Sequence, residues 1–83
     1  MFSVEFTRTS ERQFDMLPKE IQTRIVNVLE RIKIRPFHFV KRKEGTPYFI
    51  ARIGEYRAIL DIRANPDKII VLEVGHRKNI YER

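Results

Sequence analysis

Arg52 and Arg57 flank a Gly54-Glu55 pair in the stretch Arg52-Ile53-Gly54-Glu55-Tyr56-Arg57. A two-residue Gly-X loop between alternating apolar runs predicts a β-hairpin, because glycine supplies the positive φ of a type II′ turn. With that loop, Ile53 pairs with Tyr56 and Arg52 with Arg57. Like charges directly across a ladder repel each other. Either both side chains splay into water or an anion belongs between them. Guanidinium groups grip phosphate bidentately and stay charged at any physiological pH. They would also stabilise the negative charge that builds at phosphorus when a ribose 2′-OH attacks it.

The elements around this hairpin follow from hydrophobic spacing. Phe2, Val4 and Phe6 alternate with polar residues, which predicts an opening strand. Ser10 with Gln13 three residues on reads as a capping box and predicts a short helix over residues 11–17. Pro18 suits the first turn of a second helix, where Ile21, Ile25, Val28, Leu29 and Ile32 recur at helical spacing. Arg35-Pro36 ends that helix, since the residue before proline is pushed out of the α region. A connecting loop then runs to Pro47, and its aromatics Phe37 and Phe39 either tether it to the core or stack on bases. Three strands are expected over 48–53, 56–62 and 68–75. The fold class is therefore α+β: an N-terminal strand, a two-helix hairpin and a three-stranded antiparallel meander in one small sheet.

Alternation assigns the faces. Phe49, Ala51, Ile53, Tyr56, Ala58, Leu60 and Ile62 share the face covered by the helices, joined by Ile70, Leu72 and Val74 of the last strand. The opposite face receives Tyr48, Ile50, Arg52, Arg57, Ile59, Asp61, Val71, Glu73, Gly75 and Arg77. Arg77 thus joins Arg52 and Arg57 from a distant strand. Asp61, Glu73 and Glu55 offer the plainer alternative, ordinary surface ion pairs with these arginines, each worth little. A general base is less evident. His76 falls on the core side, where a structural histidine is the simpler reading, and His38 lies in the loop. Tyr81 is either a proton acceptor, its phenolate favoured by neighbouring arginines, or an aromatic that packs on the sheet or stacks on a base.

Composition bounds the rest. The 83 residues make one domain, 1–83, and 42% hydrophobic content with six Phe supports a core. A net charge of +6 and a pI near 10.1 attract polyanions: nucleic acid, an acidic protein or a membrane surface. The absence of cysteine excludes disulfides and thiolate chemistry, and the isolated histidines make no metal site. No cofactor is expected, because Gly-rich phosphate loops, nucleophile elbows and paired metal carboxylates are missing. Ile69 to Leu72 is too short an apolar run to span a bilayer, and a cytoplasmic protein is expected.

The order of elements resembles the RelE/ParE superfamily of toxins, and more its RelE branch. The residues that carry the likeness are Leu17-Pro18-Lys19-Glu20-Ile21, the Arg52 to Arg57 hairpin, and Val74-Gly75-His76-Arg77-Lys78-Asn79-Ile80-Tyr81. The resemblance implies a type II toxin that cuts mRNA in the ribosomal A site without metal, through 2′-OH attack on the neighbouring phosphate. It also implies an inhibiting, RelB-like antitoxin from the same operon. Arg57 matches the hairpin arginine that stabilises the transition state, and Arg77 the closing arginine, for leaving-group protonation or charge stabilisation. Tyr81 matches the C-terminal tyrosine that stacks on or orients substrate, and Arg52 a basic position on the preceding strand. Some relatives carry a lysine general base where this chain has Ile50, a role that Lys41, Lys43 or Tyr81 would have to fill. The basic triplet Lys41-Arg42-Lys43 reads most simply as a solvated loop. With an RNA target, it and Lys78 become the RNA-contact candidates. The alternatives are a gyrase-inhibiting ParE-type toxin and a noncatalytic RNA-binding module.

Overall fold

A computed structural model describes residues 1–80. In chain order it contains β1 (Ser3–Phe6), α1 (Arg8–Asp15), α2 (Lys19–Ile34), β2 (Lys41–Arg42), β3 (Phe49–Ile53), β4 (Tyr56–Arg63) and β5 (Lys68–His76). The strands form one sheet in the order β1-β5-β4-β3-β2, with β1 parallel to β5 and the other pairs antiparallel. The expected α+β class holds. The sheet has one strand more than expected, because Lys41 and Arg42 pair with Ile50 and Phe49. Two residues carry no legible alternation, so β2 was invisible in the sequence and the segment read as loop.

The capping box lies three residues earlier than expected. Thr7 is the N-cap of α1, accepting from the Ser10 N–H at 3.0 Å while the Ser10 hydroxyl accepts from the Thr7 N–H at 2.9 Å. Ser10 is fully buried, and its hydroxyl also donates to the Val71 carbonyl at 2.6 Å. Gln13 accepts from the Val74 N–H at 2.8 Å. The β1 pairing of β5 stops at Val71, so Gln13 satisfies a strand N–H just beyond the pairing, where an open edge would otherwise leave it exposed. Helix α1 thereby closes the edge that β1 leaves open.

Helix α2 behaves as its periodicity predicts. Ile21, Ile25, Leu29 and Ile32 are buried, and they pack with Ala51, Ile53, Ala58, Leu60, Ile69, Val71 and Val74 from the sheet. Three expected faces need correction: Val71 belongs to this core, whereas Ile70 does not, and Leu72 packs on the opposite face with Ile50, Ile59 and Ile80. The cause is a β-bulge. Ile59 pairs with Glu73 but Leu60 with Val71, so Leu72 is an extra residue and alternation in β5 changes phase there. Ile69 is in the core, and Ile70 alternates away from it. Val74 and Gly75, beyond the bulge, keep their expected faces. No helix among the described residues is long and apolar enough to cross a membrane.

Candidate functional site

The hairpin forms in the expected register, with Ile53 opposite Tyr56 and Arg52 opposite Arg57. Gly54 has φ +59° and Glu55 has no positive φ, the pattern of a type II′ turn. The two arginines resolve their repulsion asymmetrically. Arg52 is exposed, whereas Arg57 is 92% buried, its relative exposure being 8%. One guanidinium nitrogen of Arg57, Nη1, donates to the carbonyls of Gly54 and Tyr56, each at 2.8 Å. The turn thus fixes the direction of the Arg57 head group. Desolvation of a cation is costly unless its hydrogen bonds are replaced, and the turn carbonyls supply that replacement.

Beyond Gly75, which pairs with Arg57, the chain continues to the turn of the hairpin. Arg77 donates its backbone N–H to the Glu55 carbonyl at 2.8 Å, and its Nε to the Glu55 carboxylate at 2.8 Å. The anticipated arginine–acid pairing therefore exists for Arg77 and Glu55. Asp61 pairs instead with Arg63 at 2.8 Å, away from the three arginines. After Arg77 the chain turns back, with the His76 carbonyl accepting from the Asn79 and Ile80 N–H groups. Ile80 then packs on Gly75, within 3.4 Å of where a Cβ would stand, and joins Ile50 and Ile59 in a second apolar cluster. This cluster floors the arginine-bearing face, so the basic groups sit at the rim of an apolar patch.

The structure brings Arg52, Arg57 and Arg77 to one end of the sheet, around the Gly54-Glu55 turn. Lys78 is exposed in the turn that follows, its N–H donating to His76 Nδ1 at 3.1 Å. His76 meets Tyr56 edge to face at 5.3 Å, on the side away from Arg57. Tyr81 lies outside the described residues. On β2, Lys41 stands directly opposite Ile50 and shares its face. Lys43 extends that ladder by donating its N–H to the Tyr48 carbonyl at 2.9 Å. Arg42 points the other way, 5.7 Å over the Phe49 ring and bonded to the Thr46 carbonyl. From strand spacings, the Lys41 Cα stands roughly 8 Å from that of Arg52 and about 12 Å from that of Arg57, within mutual reach of a small ligand for such long side chains. The basic triplet is therefore divided between two faces. Arg24, which sequence reasoning passed over, lies against the turn: its guanidinium is 2.7 Å from where a Cβ on Gly54 would be. Only the three-dimensional approach of α2 to the hairpin reveals it.

The fold, a helical hairpin on a sheet whose turn gathers arginines, is shared with toxins of type II toxin–antitoxin systems, and comparison with known proteins places the chain in that class. The model of the ParE toxin family, described as the toxin of the type II system parDE, matches residues 4–81, and the chain belongs to the RelE/ParE superfamily. It is 32% identical to the toxin RelG of Mycobacterium tuberculosis over 85 residues, spanning 99% of this chain and 98% of the relative. The toxin–antitoxin complex RelBE2 of the same organism matches with a TM-score of 0.82 and 30% identity, over 92% of this chain and 98% of that one. The intact Escherichia coli RelBE toxin–antitoxin complex matches with a TM-score of 0.81 over 100% of both chains at 14% identity, a likeness of fold.

Proposed function

We propose that this toxin is a ribosome-dependent, metal-independent endoribonuclease that cuts mRNA in the A site and acts as a single domain over residues 1–83. The observation that carries the reading is the direct pairing of Arg52 with Arg57 across a turn to which Arg77 is also tied. A binder needs positive charge, but it does not need a guanidinium buried and aimed by two carbonyls. In the reaction the ribose 2′ oxygen forms a bond to the adjacent phosphorus while the bond from phosphorus to the 5′ oxygen breaks. The 2′-OH proton passes to a base, and the departing 5′ oxygen takes up a proton from that protonated base or from water.

Arg57 has the role of stabilising the charge on the pentavalent phosphorus, because its head group is already desolvated and needs no reorganisation. Arg52 holds the phosphate, and Arg77 neutralises the charge on the leaving oxygen after exchanging Glu55 for substrate. Tyr81 stacks on or orients the base. Lys41 is the amine best placed to replace the lysine that Ile50 displaces, because it stands beside Ile50 on the same face. Lys43, Arg42 and Lys78 contribute contacts to RNA. The partners are the ribosome with its mRNA, and a RelB-like antitoxin, as in the solved complexes of similar toxins; the site of action is the cytoplasm.

Mapping mRNA 5′ ends on translating ribosomes tests the reading. Codon-phased cuts that vanish with Arg57→Ala and Arg77→Ala support it. Intact mRNA together with stalled DNA gyrase would identify a ParE-type inhibitor instead.

A further inference from the structure

Helix α2 turns a basic stripe away from the core. Arg24, Asn27 and Arg31 follow one another at spacings of three and four residues on one side of the helix, and Arg35 stands at its C-cap four residues on. All are exposed, and among the described residues none of these three arginines makes an ion pair. Arg24, Asn27 and Arg31 line a cavity of about 300 Å³ together with Arg52 and the turn at Gly54, and none of the described residues lining it carries a carboxylate. Arg31 and Arg35 also border an adjoining cavity of about 230 Å³ with Ile34, His38 and Phe39. The rings of His38 and Phe39 meet edge to face at 4.8 Å, and Phe39 remains 40% exposed. The two cavities share Arg31, which links their basic residues into a track along the helix. It starts behind the hairpin that carries Arg52 and Arg57, and ends on an aromatic platform.

We infer that this track is a second RNA-binding surface, which holds the backbone of a strand with Arg24, Arg31 and Arg35 and stacks a base on Phe39 and His38. The inference rests on RNA being the target of the hairpin site. Charge and ring chemistry select the occupant. Arginine forks fit phosphate, and an exposed ring beside a cationic groove is the arrangement that receives unpaired bases. Helical rise separates Arg24 from Arg31 by about 10 Å and Arg31 from Arg35 by about 6 Å, a length that covers several nucleotides. An acidic protein would be attracted by the same charge but has no base to place on Phe39. Arg24 stands against the same Gly54 whose carbonyl holds Arg57, and Arg52 lines the cavity with it, so the track and the proposed cleavage site meet at the hairpin turn.

The test is binding of a 2′-O-methyl single-stranded oligoribonucleotide of about 12 nucleotides, which cannot be cut. It compares the full-length chain with an Arg24→Gln/Arg31→Gln variant over a range of salt. The substitutions are on the surface, and an unchanged thermal unfolding transition certifies the fold. The expected result is about a tenfold loss of affinity, with the slope of log K against log salt shallower by about 1.4, as for two lost phosphate contacts on a single strand. A Phe39→Ala variant is expected to lose affinity with no change of slope, the mark of a stacking contact. Unchanged affinity and slope in the double variant overturn the inference, as does a loss confined to binding of the antitoxin. Because the probe cannot react, a chain that binds it through α2 yet cuts no mRNA overturns the nuclease reading alone.

Discussion

Arg77 is tied to Glu55 twice, by its backbone N–H to the carbonyl and by its Nε to the carboxylate, each at 2.8 Å. The backbone bond sets where Arg77 stands. The ion pair occupies the head group that a phosphate would need. Both side chains are more than half exposed, and exposed pairs contribute about 0.2–1 kcal/mol. Glu55→Gln is therefore expected to strengthen binding of an uncleavable oligoribonucleotide by up to about fivefold, without altering thermal stability measurably. A titration showing weaker binding would mean that Glu55 orients Arg77 for RNA and does not compete with it.

Arg57 tests whether direction matters beyond charge. Arg57→Lys keeps the positive charge but loses the planar guanidinium whose Nη1 is held by two turn carbonyls. Cleavage on translating ribosomes is expected to fall by about 10² to 10³, as for a lost transition-state donor, and nearly as far as with Arg57→Ala. Near-wild-type cutting by the lysine variant would assign Arg57 a purely electrostatic role.

Lys41 separates proton transfer from charge. Lys41→Ala is expected to lower single-turnover cleavage by about 10² or more, the usual contribution of a general base. Lys41→Arg decides the role: if the amine accepts the 2′-OH proton, arginine restores nothing, because it cannot deprotonate. Recovery with arginine would reassign Lys41 to phosphate binding.

Gly54 faces two demands, a positive φ and the Arg24 guanidinium 2.7 Å from the Cβ that any other residue would add. Gly54→Ala is expected to destabilise the fold by about 1 kcal/mol or more in urea unfolding. In an Arg24→Ala background the steric part disappears and the φ part stays. Because the exposed Arg24 side chain can swing aside, a double-mutant cycle should return only a small coupling, with the φ cost dominating.

Ser10 joins α1 to the sheet. Its hydroxyl is buried, accepts from the Thr7 N–H and donates to the Val71 carbonyl. Ser10→Ala is expected to cost about 1–2 kcal/mol in the same measurement, while Arg57-dependent cleavage at low temperature persists.

The hairpin, both helices and the apolar stripe of α2 were legible because each rests on local chemistry: a Gly-X turn, a proline and a helical repeat. The register that sets Arg52 opposite Arg57 followed from the loop length alone. What escaped the sequence depended on partners distant along the chain. β2 exists because β3 offers Lys41 and Arg42 a ladder, and Arg24 reaches Gly54 only after α2 has docked. Ser10 looked like a cap because its type fits one, but the Val71 carbonyl makes it a buried strut. Strict alternation failed at Leu72, where nothing in the residue types of β5 announces the extra residue.

That extra residue lets one strand keep two phases. Upstream of Leu72, the side chains of β5 are timed to β1 and the helical core; downstream, they are timed to the hairpin, so Gly75 rather than Val74 meets Arg57. Substitutions that preserve length can accumulate in either half without disturbing the other. A single deletion at Leu72 would impose one rhythm on both and exchange the roles of the residues on one side of it. The strand therefore tolerates drift in composition far better than drift in length, and it is at this joint, not at the arginines, that an insertion or deletion would disarm the toxin most economically.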